Sequence, residues 1–386
     1  MNDVWRRALR NGLIATILAG LVGFTVDAAL SNRGPNPEAT PTESGPPPRP
    51  ACTAVWEVVP SVQPDPAGNQ LLGVAALSRS LAWAVGAKGP PDAPTSTLIE
   101  RWNGDRWGPV ASPNGGQVTN LLRAVDARTP ADAWAVGESS SGGKPQPLVV
   151  HWDGVAWTLS AVPFLTSGGA LFGVVAIGPD DVWAVGSSGD PTAGLEHALA
   201  LHWDGLSWTT ATLHVGGGRS LLADVSAVSS SDVWAVGYHH NGPLIVRFDG
   251  RKWTTSPIQV PGKLDAVDAI GPDEVWAGES ALLRWDGAEW SVGGTVRTGG
   301  TVTSIAGTDP AGLWAVGVRS VGGTTRSLVQ RFDGTRWALA RGPGVQGPDV
   351  LTDGSAAPDG SLWAVGYHDV PQGRFALVAR ARLTCG

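Results

Sequence analysis

Methionine, tyrosine, phenylalanine and cysteine are nearly absent from this chain of 386 residues: one Met, two Tyr, six Phe and two Cys stand against 19 Trp and 53 Gly. An interior that avoids the other large aromatics and draws so heavily on Trp sets the indole to one fixed structural task. Positive charge is also sparse. Beyond residue 50 there are 22 Lys and Arg against 30 Asp and Glu, a net of −8, and a mildly acidic body is a poor electrostatic match for nucleic-acid phosphates or anionic lipid. Nucleic acid is therefore not an expected partner. This length would ordinarily divide into two or three domains, but a closed ring of repeats can absorb all of it.

The first 50 residues read as a separate export element. Arg6, Arg7 and Arg10 precede an apolar run from Leu13 to Val26, the charged and hydrophobic regions of a signal sequence, with the basic end staying in the cytoplasm. Continued to Leu30, the run approaches the length of a spanning helix. Residues 1–30 are thus expected to be a hydrophobic helix, either a cleaved signal peptide or a membrane anchor, with the anchor preferred. Arg6 and Arg7 also allow a twin-arginine export signal, though their surroundings fit it poorly. Residues 31–50 hold seven prolines among polar residues, a composition that stays extended and solvated and suits a stalk.

From residue 51 the chain repeats itself. Trp-Ala-Val-Gly occurs at Trp83, Trp134, Trp183, Trp234, Trp314 and Trp363, with a shortened copy at Trp276, and the spacing runs 51, 49, 51, 42, 38 and 49 residues. That period is expected of four-stranded propeller blades. A second element, Trp or Phe followed by Asp-Gly or Asn-Gly and a later Trp, appears six times, at Trp102, Trp152, Trp203, Phe248, Trp285 and Phe332. In the fourth copy the strands are read as Leu221–Ala227, Asp232–Gly237, Leu244–Phe248 and Lys252–Thr255. Asp-Gly marks a tight hairpin, and a two-residue turn at Asp204-Gly205 would pair Leu201 with Trp208 and Trp203 with Leu206.

The missing seventh copy of the second element is supplied by Trp56, so the first strand, Ala54–Val58, is expected to complete the last blade beside Phe375–Arg382 and close the ring. The fold class is all-β: a seven-bladed β-propeller over residues 51–386. Cys52 and Cys385 fall where the absent turn would lie, and in an exported chain they are expected to form a disulfide rather than two buried thiols. Eighteen of the 19 Trp recur at equivalent positions, as packing requires, so they are read as core rather than as platforms for sugar rings. Asp132, Asp181 and Asp232 are read as turn residues.

The strand, Trp-Ala-Val-Gly, loop and Trp-Asp-Gly-x-x-Trp order resembles kelch and galactose-oxidase-type repeats, with one Gly where kelch has two. It is also similar to tectonin-type Trp-rich propellers and to the Asp-box turn of sialidases, whose residue between Asp and Gly is missing here. The nearest likeness is to bacterial exported propellers bearing this repeat. That resemblance implies a fold and leaves function open.

Length variation is concentrated in the connections from second to third strand and from one blade to the next, which share one face in propellers and carry binding groups on a rigid scaffold. Both tyrosines follow Trp-Ala-Val-Gly there. Tyr238, His239, His240 and Asn241, with Tyr367, His368 and Asp369, are the candidate ligand-binding residues. No cofactor or metal is expected, because adjacent histidines on an extended segment point to opposite sides. The reading is an extracytoplasmic, non-catalytic binding module for a cell-surface glycan or protein, with the membrane engaged through the N-terminal segment. A glycan-processing enzyme and a structural scaffold are the alternatives. Asp126 and Asp268 are the best catalytic candidates, but Ala75, Val175, Ser226, Ala306 and Ser355 in the same register give no ring of acids.

Overall fold

A computed structural model describes residues 52–385 except 91–93, 191–192, 297–298 and 372. The expected export element and stalk, residues 1–50, lie outside the described residues, and among those described no helix is long and apolar enough to cross a membrane.

Seven four-stranded antiparallel sheets follow one another. Blades 1 to 6 span residues 69–110, 119–159, 169–210, 220–255, 266–295 and 301–339, and blade 7 combines 349–385 with the first strand, Cys52–Val58. That strand pairs with Gly373–Cys385 in the register Trp56 to Ala381 and Cys52 to Cys385, so the ring closes as the repeat count requires. The side chains of Cys52 and Cys385 are outside what is described.

Trp performs the packing task that its recurrence implies. The indole of each Trp-Ala-Val-Gly segment meets the aromatic pair of the following blade. Trp83 lies 5.0 and 5.1 Å from Trp152 and Trp157, and Trp363 lies 5.0 and 5.2 Å from Trp102 and Trp107. At the sixth seam Trp56 takes this place, 6.1 Å from Trp314. On the same indoles rests an arginine or histidine from the third strand. Arg247 sits 4.8 Å from the Trp234 ring and Arg101 5.3 Å from Trp83, while His151 and His202 stack on Trp134 and Trp183 at 4.0 and 4.3 Å.

The acid before the motif holds that side chain. Asp132 binds His151, Asp181 binds His202 and Asp232 binds Arg247 at 2.7–2.8 Å. These aspartates, read from sequence as turn residues, are therefore partners in a stack of acid, basic side chain and indole. Each is strand-initial, and a side chain at that position points along the sheet face toward the third strand.

The Gly of the motif is dictated by a recurrent bulge. Innermost strands carry an extra residue opposite it, as between Leu222 and Asp224 against Gly237 and Val236. The bulge drives the Leu221 carbonyl oxygen against Gly237, where any Cβ would collide with it; Leu121 stands likewise against Gly137 and Val350 against Gly366.

The tight turn expected between third and fourth strands is wider than two residues. Trp203 pairs with Trp208 and Leu201 with Thr210, leaving a four-residue loop. Asp204 Oδ1 accepts the Leu206 and Ser207 N–H groups at 2.9 and 2.8 Å, and the same cap recurs at Asp153, Asp249, Asp286 and Asp333. The Asp side chain, rather than a backbone turn alone, closes the loop.

Candidate functional site

The candidate residues stand on two blades that the ring keeps apart, the fourth and the seventh. Tyr238 and His239 belong to the strand Asp232–His239, and Tyr367, His368 and Asp369 to Leu362–Val370; only His240 and Asn241 occupy a turn. The loops expected there shrink to hairpins because pairing continues past the motif Gly to His239–Gly242 and Val370–Gly373. Neighbouring connections do share one face: the N–H groups of Val118, Gly169 and Ser220, at or just before the starts of innermost strands, donate to the carbonyls of Ser140 and Pro145 in the blade 2 connection and Glu196 in that of blade 3.

Both tyrosines are locked by arginine and carboxylate. The Tyr238 hydroxyl donates to Glu196, which also accepts from Arg219 at 2.7 Å, and Arg219 lies 5.3 Å from the Tyr238 ring. Burial first, then the Glu196 hydrogen bond, pushes the phenol up to about 12, so it stays a donor. Arg374 sits 3.8 Å from the Tyr367 ring and pairs with Asp369 at 2.9 Å. His368 lies beside Phe375, its Nδ1 buried without a partner. The adjacent histidines do not diverge as expected: His240 Nδ1 is 3.1 Å from His239 Nε2, which also contacts the Gly217 carbonyl at 2.9 Å. His240 has left the strand, so strand alternation no longer governs it. Among the described residues no three His, Cys, Asp or Glu side chains gather as a metal site.

Among the described residues, two cavities bear on ligand binding. The first, about 530 Å³, opens beside blade 4 between the third-strand edge at Gly242–Ile245 and the linker Ser256–Pro261, with His239, Asn241 and Val215 at its rim. Its origin is legible residue by residue. The outer strand ends at Thr255, and after Ser256 N–H donates to the Ile245 carbonyl the linker swings away. In blades 1, 3, 6 and 7 the next outward N–H, on Thr97, Ala198, Ser327 and Ala376, is capped by a linker or flanking side chain: Asn114, Ser220, Asp349 and Gln63 respectively, at 2.9–3.1 Å. Blades 2 and 4 carry Pro147 and Pro243 there, with no N–H to cap. Blade 2 nevertheless fills its edge, because Gln146 binds the Leu165 N–H and carbonyl, both at 2.9 Å. Blade 4 has Gly242 in place of Gln146 and stays open.

The second cavity, about 270 Å³, is the bore enclosed by the innermost strands. Its mouth is ringed by the bulged residues Leu72, Arg123, Phe172, Ala223, Thr303 and Thr352, with Asp265. Deeper stand four carboxylates. Asp126 and Asp268 were expected on innermost strands; Asp224 and Asp353 were missed, although they lie on the same strand face two residues before Ser226 and Ser355. All but Asp268 use both oxygens on backbone N–H groups at 2.8 Å, one of their own strand and one of the next blade: Asp126 with Ala176, Asp224 with Val267, Asp353 with Val74. Asp268 accepts the Gly307 N–H of blade 6. These acids therefore latch successive blades. Burial raises all four; Asp224 reaches about 8, helped by the charges of Asp353 and Asp268, while Asp268 reaches about 7 and Asp353 about 6.

Fold and site define a seven-bladed β-propeller. No protein-family model and no curated protein matches the chain. Among solved structures it is similar to YCF48 bound to D1 peptide, at 15% identity and TM-score 0.54 over 86% of this chain and 99% of that one. It is also similar to a catalytically inactive virginiamycin B lyase from Staphylococcus aureus with quinupristin, at 10% identity and TM-score 0.59 over 86% and 100%. A third is Sqt1 of Chaetomium thermophilum bound to the N-terminus of the ribosomal protein L10, at 12% identity and TM-score 0.50 over 80% and 84%. At such identities the likeness is one of fold.

Proposed function

We propose that this chain is a non-catalytic binding module, exported from the cytoplasm, that holds an extended segment of a partner protein against the open third-strand edge of blade 4. The observation that carries the reading is the contrast between sister blades. Where blade 2 binds the backbone of Leu165 beside its third strand, blade 4 presents Pro243, Leu244 and Ile245 to a groove with Ile258 and Val260 opposite. Such an edge offers the Pro243 carbonyl as an acceptor and a slot for apolar side chains between strand and linker. YCF48 and Sqt1, which hold peptide segments on the same fold, are in keeping with it. The inner aspartates are already engaged in joining blades, which favours binding over acid–base chemistry at that position.

Selection of peptides from a displayed library on the purified full-length chain tests the reading, with a glycan array run in parallel. Selected peptides should lose at least tenfold in affinity for Val260→Glu, with retained cooperative unfolding as the check that the variant is folded. Equal affinity for both proteins, or array glycans that bind and are not displaced by the peptides, would replace the groove with another site.

A further inference from the structure

Charge in the bore is unbalanced. Six charged side chains line it: Arg123, Asp126, Asp224, Asp265, Asp268 and Asp353. At the mouth Arg123 pairs with Glu138 at 2.7 Å and Asp265 with Lys263 at 2.7 Å. The four deeper carboxylates have no cation paired with them among the described residues. Asp268 lines the same cavity with one oxygen, Oδ2, buried and meeting no hydrogen-bond donor. A buried carboxylate oxygen without a donor leaves an acceptor site in a low-dielectric wall, and a cation is the complement it lacks.

We propose that the bore is a binding site for an organic cation, a guanidinium or ammonium group, received by Asp268 together with Asp224 and Asp353. All three line the same cavity. A metal ion does not fit the same donors. Asp224 and Asp353 are each pinned by two backbone N–H groups at 2.8 Å, which prevents them from converging into an inner coordination shell, and no three acidic or imidazole groups lie close enough to hold a metal. A cation bearing several N–H donors spans the separation, because each donor needs only one remaining lone pair per oxygen. The mouth already accepts such a group: the Arg123 guanidinium lies 5.2 Å from the Phe172 ring. The site is separate from the blade-4 groove, so either can fail alone. Its cation arrives on a partner's Lys or Arg side chain or as a free amine.

Calorimetric titration of the full-length chain with agmatine, with a short peptide ending in Arg-amide, and with tetramethylammonium chloride at equal ionic strength tests the site. Agmatine or the peptide should bind saturably, and tetramethylammonium, which has no N–H, should not. Asp268→Asn keeps an oxygen to accept the Gly307 N–H, so it should fold with an unchanged Tm at neutral pH or a higher one, yet weaken binding at least tenfold. Affinity should rise between pH 6 and 8.5 as Asp224, Asp268 and Asp353 ionise; the other charged groups facing the bore are Asp126 within it and the pairs Arg123–Glu138 and Asp265–Lys263 at its mouth. Val260→Glu should leave agmatine binding untouched. Tighter binding of the peptide assigns the cation to a partner side chain, and tighter binding of agmatine to a free amine. No saturable response to either, an equal response to tetramethylammonium, or undiminished affinity in Asp268→Asn overturns the proposal.

Discussion

Glu100 illustrates what burial does to a single acid in this ring. Fully buried in the third strand of blade 1, it accepts the Ser61 hydroxyl at 2.9 and 3.1 Å and the Val62 N–H at 3.4 Å, and pairs with no cation among the described residues. Desolvation outweighs those bonds and pushes its carboxyl up to about 7. A group whose folded value lies above its unfolded one lends stability in full below the unfolded value and loses it as pH rises through the folded one. Glu100, Asp353, Asp268 and Asp224 all shift in that sense, to values between about 6 and 8. The turn aspartates shift downward, Asp333 to about 2, and so lose their contribution only in strong acid. Tm should therefore climb as pH falls from 8.5 to 5.5. Glu100→Gln, which keeps the acceptor and removes the charge, should stabilise the chain by about 1–3 kcal/mol at pH 8.5 and shallow the slope. A Tm that falls toward pH 5.5, followed by differential scanning calorimetry, would contradict the account.

At the scale of the strand, much was legible because side chains repeat with the blade. Trp-Ala-Val-Gly gave seven second strands, and in blade 4 the four expected strands agree with Ser220–Ser229, Asp232–His239, Gly242–Phe248 and Trp253–Thr255 to within a few residues. What escaped sequence reading depends on geometry that no single strand encodes. The bulge that turns Arg123 and Phe172 into the bore has no residue signature of its own, and the caps on Thr97 or Ser327 join residues 17 and 22 positions apart. Asp224 and Asp353 could have been found by extending the same-face comparison two residues along each strand. The groove had a sequence signal too, Gly242-Pro243 where blade 2 has Gln146-Pro147 and blades 1, 3, 6 and 7 have a donor, but its meaning appears only once Asn114, Ser220 and Gln63 are seen capping the others. The caps make a paired prediction. Asp349→Ala strands the buried Ser327 N–H and should cost about 1–3 kcal/mol in urea denaturation, whereas Pro243→Ala places its new N–H in an open groove and should change stability by less than about 1 kcal/mol.

For the molecule as a whole, the decisive fact is that two distant ends share blade 7. Cys52 stands opposite Cys385 in the register, a separation within the Cα range a disulfide bridges. Thiol labelling of the denatured full-length chain should modify neither cysteine until reductant is added. Reduction should then lower Tm, since the chain-entropy model allows as much as about 5 kcal/mol for so long a loop. Labelling of both cysteines without reductant, in protein recovered from an oxidising compartment, would show the pair to be two thiols.

Among the described residues, the aspartate latches between innermost strands run one way, each carboxylate on one blade taking an N–H from the next, and the last of them carries Asp353 of blade 7 onto Val74 of blade 1. Blade 7 thus grips its successor at the hub with residues from the tail of the chain, while the head of the chain grips blade 7 at the circumference through Cys52–Val58. The circle has two fastenings at different radii, supplied by opposite termini, and parting one of them leaves the other still holding the first blade against the last.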